Sequence, residues 1–439
     1  MTTCRRGALL ASALILSLAA AAGTHAESED WTARFQSTYI YQSKPAFDAL
    51  YSGPKSLSAE HERSYTFSAT AYLGARLWEG GELYFNPEAI QGVALSAVTG
   101  LGGFTNGEIQ KVAGPTLTFY RARLFLRQTI GFGGGRDVLE SDDNQLAGGV
   151  DRNRLVLTAG NLSVTDVFGL NEYAGDARTQ FLNWSFLTFG AFDYAADLRG
   201  FTWGAAAEYV HGDWSLRAGR FMQPKESNGM ELNTDLRSSY GDQAEFERRY
   251  LLAGRPGKVK LLAYRNVAEM AGFEDAIAYG QANGVAPDIT AVRKRQSKTG
   301  WGASLEQALG SDMGIFARVS AHDGRTETYA FTEIDRSLSI GGVVKGSSWK
   351  RAEDTLGVAL ARNGISSSHQ SYLAAGGNTF FLGDGNLRYA PESIFEAYYS
   401  LRALKGVYVS LDWQHIRNPA YNADRGPVQV GSFRLHAEF

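Results

Sequence analysis

Arg121, Arg123 and Arg127 fall on one parity of a single stretch, while Tyr120, Ala122, Leu124 and Leu126 fall on the other. In a strand such residues share one face, so three guanidiniums would form a row of N–H donors aimed at carboxylates or hydroxyls. The same spacing recurs for Arg76, Glu208, Arg217, Arg318, Glu396, Tyr398, Asp412 and Arg434, each between apolar neighbours. This is a set of donors and acceptors for polar solutes. It is not a catalytic constellation. H-E-x-x-H, G-x-S-x-G and G-x-x-x-x-G-K-[ST] are all absent. His61, His211, His322, His369, His415 and His436 have no metal-ligand spacing. "GFGGG" at 131–135 reads as a flexible turn, and "ESDDNQ" at 140–145 as a solvated acidic turn. No enzyme activity, cofactor or metal is expected.

The elements that must carry these residues are strands. Of 439 residues, 50 are Gly, 24 Phe and 21 Tyr, with only 10 Pro, a balance that suits many strands and turns. Period-2 alternation runs through Phe395–Arg402, Val407–Gln414 and the C-terminal "GSFRLHAEF", where Phe433, Leu435, Ala437 and Phe439 oppose Arg434, His436 and Glu438. The pattern predicts strands near 31–41, 64–78, 81–86, 116–130, 153–160, 200–210, 213–221, 247–254, 257–265, 299–309, 312–321, 336–344, 354–362, 392–403, 406–416 and 426–439. That is an even number, sixteen, with both ends on one side. Tight connections follow even-numbered strands and long ones follow odd-numbered strands, except that 131–152 is long where a short turn is expected; an extended hairpin or an excursion would account for it.

The N-terminus carries Arg5 and Arg6, an uncharged run to Gly23, and "THA" before "ESED". This reads as a signal peptide over 1–26, cleaved after Ala26, with 27–439 as one barrel domain. The single Cys, Cys4, lies in that leader, which leaves no disulfide or thiolate site beyond it. Net charge is −3 with no basic block, so nucleic acid is not an expected partner. Beyond Ala26 no run of 18 apolar residues occurs, which excludes membrane-spanning helices and not a transmembrane barrel. The fold class expected is all-β: an antiparallel transmembrane barrel with short periplasmic turns, long extracellular loops and one loop folded into the pore.

Charged side chains facing lipid would cost about 2–4 kcal/mol each at mid-depth, so the alternating charges must face water inside. A barrel of this size is wide enough for an aqueous channel. The connection 161–199 is the candidate for the inward loop, because it is too apolar for a free surface loop and holds Asp166, Asn171, Asp176, Asn183, Trp184, Asp193, Asp197 and Arg199. These would either line the constriction, offering amides, carboxylates and aromatic faces to sugar rings, or brace the barrel.

The stretches "ELYFNPE" (82–88), "LTAGNLSVTDVF" (157–168), "TQFLNWS" (179–185), "AFDYAADLRGFTWGAAAEY" (191–209), "LGDGNLRYAPESIFEAYY" (382–399) and "LDWQHIRNPAYNADRGPV" (411–428) together resemble the carbohydrate-selective porin (OprB) family. The resemblance implies a sixteen-stranded barrel in a Gram-negative outer membrane that passes small sugars, glucose-like monosaccharides among them. It also implies outer-membrane lipid and the barrel-assembly machinery as partners, the latter reading a terminal aromatic such as Phe439. Small organic anions are the alternative cargo, since an Arg row favours them. Monomer and trimer are both compatible with the sequence.

Overall fold

In a computed structural model, residues 28–109, 114–330 and 333–439 are described. The proposed leader, 1–26, lies outside them. The strands are β1 (Trp31–Lys44), β2 (Glu62–Trp78), β3 (Gly81–Val93), β4 (Thr118–Gly131), β5 (Arg136–Leu139), β6 (Gly148–Asp151), β7 (Arg154–Leu162), β8 (Thr202–His211) and β9 (Trp214–Met222). They continue with β10 (Tyr240–Leu252), β11 (Arg255–Met270), β12 (Lys294–Ala308), β13 (Met313–His322), β14 (Arg336–Gly346), β15 (Arg351–Gly364), β16 (Glu392–Leu404), β17 (Val407–Arg417) and β18 (Val428–Glu438). Two helices, α1 (Phe273–Asn283) and α2 (Ser367–Ala374), sit in long connections. Among the described residues no helix is long and apolar enough to cross a membrane; the strands do so.

All strands except β5 and β6 form one closed antiparallel barrel, each paired with its chain neighbour and β1 closing on β18. Closure pairs Gln36 with Glu438 through Ser43 with Gly431, and Phe35 and Phe439 extend the seam by exchanging two backbone hydrogen bonds. The final strand therefore satisfies an edge that hydrocarbon would leave unpaired. Six of the connections at the end where β1 begins are tight turns, such as 79–80, 212–213 and 405–406. The other end carries the long loops, and this asymmetry sets the periplasmic and extracellular sides.

The sixteen expected strands are the sixteen barrel strands. Four run well beyond expectation: β11 and β12 each extend five residues further at the long-loop end, and β3 and β10 extend seven. β10 starts at Tyr240; the expectation began at 247 because Asp242 lies on the outer face and interrupts the apolar alternation, and it pairs there with Arg220 at 2.7 Å. β3 continues past Pro87 to Val93, where the expectation ended at 86. Pro87 is tolerated because the ladder with β4 slips at that point: Asn86 pairs with Arg123 and Pro87 with Arg121, leaving Ala122 as an extra residue.

That bulge corrects one site assignment. Below it, Arg123, Phe125 and Arg127 face the lumen as expected. Above it the parity of β4 inverts, so Tyr120 points inward and donates to Glu88, whereas Arg121 is exposed on the outer wall with its guanidinium 5.2 Å from the Trp203 ring centre. Arg121 is not a lumen residue.

The irregular connection between β4 and β7 is a two-stranded hairpin, β5 paired with β6. The connection 163–201 crosses the lumen. Phe168, Trp184, Phe189, Phe192 and Tyr194 from it are buried together with the wall residues Phe125, Phe221 and Tyr264, so the barrel interior holds a true apolar core.

Candidate functional site: a polar cavity beside the lumen-crossing loop

A chain crossing a barrel carries backbone N–H and C=O groups that no strand satisfies. In the half of the wall formed by β10–β18, inward side chains supply the partners. Arg318 donates to the carbonyls of Phe186 (2.7 Å) and Ala174, and Arg434 to those of Ala177 (2.8 Å) and Gln180 (2.7 Å). Glu396 accepts from the backbone N–H groups of Leu182 and of Asn183 (2.9 Å), and Glu245 from that of Gly169 (2.7 Å). Asn183 donates through its side chain to Gln414 (3.0 Å), beside Asp412, which accepts from the same Gln414 at 3.2 Å. Tyr398 packs edge-on against Phe181 with ring centres 4.9 Å apart. Asp193 is fully buried, paired with Lys298 at 2.8 Å and accepting from Tyr329 N–H at 3.0 Å.

The loop is thus pressed to one side. What stays open is a cavity of about 720 Å³ between the loop, the β5–β6 hairpin and the wall from the end of β18 through β1 to β9. Five arginines border it, and four are paired. Arg123 grips Asp166 through two bonds of 2.7 Å. Arg178, from the loop, reaches Glu88 (2.7 Å), Glu108 (3.0 Å) and the Tyr72 hydroxyl (2.9 Å). Arg217 meets Glu208 (2.6 Å), Glu245 (2.7 Å) and Glu247 (3.1 Å), and Arg154 meets Asp137 at 3.1 Å. Arg127 has no carboxylate partner among the described residues; it donates to the Asn144 carbonyl at 2.8 Å and lies 5.0 Å from the Tyr84 ring centre. Glu172, also on the border, is 3.5 Å from Lys258; burial pushes its carboxyl up, and Lys258 opposes this.

Of the residues expected to line a pore, Arg123, Arg127, Asp166, Asn171, Asp176, Trp184, Glu208 and Arg217 border this cavity. Asn171 spends its carbonyl on the N–H groups of Tyr173 and Ala174 and buries an amide nitrogen without a partner. Asn183, Asp193, Arg318, Glu396, Tyr398 and Asp412 lie in the braced half. Asp197 caps a turn by accepting from Arg199 and Phe201 N–H, and burial raises its carboxyl. Arg199 stacks on Tyr120 at 4.6 Å. Arg76 faces inward near the short-turn end and pairs with Glu82 at 3.4 Å. Sequence reasoning missed Glu88, Glu108 and Arg178. Glu88 becomes legible once β3 is carried through Pro87. Arg178 stands alone in "GDART", with no periodic neighbour to mark it.

The arrangement presents forks of N–H donors beside carboxylate acceptors, with Tyr72, Phe125, Trp184, Tyr194 and Phe201 supplying flat apolar faces. It can exchange hydrogen bonds with a hydroxyl-rich solute while all but one of the bordering arginines stay paired with carboxylates.

The carbohydrate-selective porin, OprB family, profile matches residues 55–439. No curated protein matches the chain. Among solved structures, Pseudomonas putida OprB at high pH is similar with a TM-score of 0.70 and 16% identity, over 93% of this chain and 94% of that chain. The low-pH structure of the same protein is similar at 0.50 and 13%, over 93% of each chain. At such identities the likeness shows the fold, and the family rests on the profile match across most of the sequence. The chain belongs to the carbohydrate-selective porin OprB family.

Proposed function

We propose that small neutral sugars, glucose-like monosaccharides first, cross the outer membrane through the cavity between the 163–201 loop and strands β1–β9. The observation that carries this is the pairing of the arginines. Arg123, Arg154, Arg178 and Arg217 are each neutralised by a carboxylate, so the cavity offers many hydrogen-bond donors without the net positive field that an anion channel uses. A hydroxyl can accept from a guanidinium N–H and donate to the partner carboxylate in one step, which replaces the water it sheds. The aromatic residues on the border meet the apolar face of a pyranose ring. The organic-anion reading has one supporting feature, the uncompensated Arg127.

Part of the same proposal is that residues 1–26 are removed on export, that the exterior apolar band meets outer-membrane lipid, and that the assembly machinery reads the C-terminal strand ending at Phe439. Liposome swelling with a solute panel tests the transport reading. Glucose is expected to permeate faster than disaccharides and faster than organic anions of similar size. Faster anion entry, with no sugar effect on ion current, would replace the sugar reading with the anion one.

A further inference from the structure

The hairpin β5–β6 leaves the short-turn end and folds back into the barrel. Gly133, Gly134 and Gly135 have φ of 76°, 83° and 98°, a region that side-chain-bearing residues rarely adopt, and they make the reversal. The tip closes between Asp142 and Gln145 with two reciprocal backbone hydrogen bonds of 3.0 Å. It docks on inward side chains near the bottom of β1, β3 and β4. Arg34 donates to the Ser141 carbonyl (2.8 Å) and pairs with Asp143 (3.4 Å), Asn86 donates to the Asn144 side chain (2.8 Å), and Arg127 donates to the Asn144 carbonyl (2.8 Å).

The tip borders the same cavity as Arg123 and Arg178, from its periplasmic side. Its chemistry differs from that of the crossing loop. The loop's anchors, Glu396 and Arg318, are sealed from water, whereas the Asp143 side chain keeps 47% of its surface open. A turn serving only as a brace would bury its charges; this one presents them to the lumen.

We propose that the β5–β6 hairpin is a second, exit-side selectivity filter, with Asp142, Asp143 and Asn144 contacting solute as it leaves toward the periplasm, beside Arg127, which holds the tip. This rests on the porin reading. It adds to that reading a narrow point built from a periplasmic turn, with an acidic tip that favours neutral polyhydroxyl solutes and cations over anions.

The test replaces residues 134–150 by Gly-Gly in the full-length protein, with heat-modifiable migration on gels as the check that the barrel forms. Single-channel conductance is expected to rise roughly twofold or more, and disaccharide entry to rise relative to glucose. Unchanged conductance and an unchanged disaccharide-to-glucose ratio would overturn the filter. Should that variant not fold, Asp142→Asn with Asp143→Asn keeps the hairpin. Its cation-to-anion permeability ratio is expected to fall about twofold, and an unchanged ratio would overturn the proposal. A wild-type protein that makes no channel would instead overturn the porin reading beneath it.

Discussion

Arg318 and Arg123 are the same residue type on inward faces of one barrel, and they do different work. Arg318 is 2% exposed and spends its guanidinium on two carbonyls of the crossing loop. Arg123 keeps 15% of its side chain exposed, pairs with a carboxylate and borders the open cavity. The division holds around the wall. In β10–β18, Arg434, Glu396 and Glu245 satisfy loop backbone; in β1–β9, and at the end of β18 with His436 and Glu438, charged side chains face the cavity, and Arg123 and Arg217 pair there with carboxylates. The cause is the loop itself. Once 163–201 lies against one wall, that wall must supply partners for its backbone, and the remaining wall is left to the solute.

The largest effect should come from breaking the braced half. Arg318→Ala strands the carbonyls of Phe186 and Ala174 in a buried site, at about 1–3 kcal/mol each. The barrel ladders are untouched, so the loss should appear as loop detachment: protease cleavage within 163–201 of an otherwise folded barrel, and a larger, noisier conductance. A protected loop with normal conductance would show that Arg318 is no anchor.

Arg123→Ala probes the open half. It leaves Asp166 without its bidentate partner beside the cavity, so glucose flux should fall severalfold and cation preference should rise, with thermal stability nearly unchanged. Stability loss on the scale of Arg318→Ala, with unaltered flux, would erase the distinction between the halves.

How much of this was legible follows from what parity encodes. Period-2 alternation reports which wall a residue faces, and it placed Arg434, His436 and Glu438 inside and Phe433 and Leu435 outside, as the structure has them. It cannot report what stands in front of an inward residue. Arg318 and Glu396 read as lumen residues and are loop anchors, because the path of the loop is set by distant packing of Phe181, Trp184 and Phe192. Arg178 was invisible for the complementary reason: its partners, Glu88 and Glu108, lie on other segments and no local pattern joins them.

A smaller effect separates the hairpin tip from both walls. Although nearly half of the Asp143 side chain opens on the cavity, the protein packed around it inside the barrel, and then the neighbouring Asp142, push its carboxyl up to about 6, against the pull of Arg34 and Arg178, with Glu438 adding to the rise. A raised carboxyl loses its charge at higher pH than an ordinary Asp near 3.9. Cation preference should therefore decline between neutral and mildly acidic pH with a midpoint near 6. Asp143→Asn should abolish that midpoint. A variant that keeps it would assign the titration to another group.

The smallest effect is expected at Arg121, and the contrast with Arg123 makes it informative. Two residues apart in sequence, they would share a face in any regular strand, and only the extra residue at Ala122 puts them on opposite sides of the wall. On the outer surface Arg121 has the ring of Trp203 as its neighbour, a contact worth about 0.5–1 kcal/mol at an exposed site. Arg121→Ala should leave conductance and ion preference at wild-type values and lower stability by no more than that. Deleting Ala122 should agree with it: Arg121 then directly precedes Arg123 and, on a regular strand, keeps the outer face opposite Pro87, so ion preference again stays at its wild-type value. If Arg121→Ala alone shifts ion preference, the bulge is not where the ladder slips, and the inward set on β4 must be redrawn.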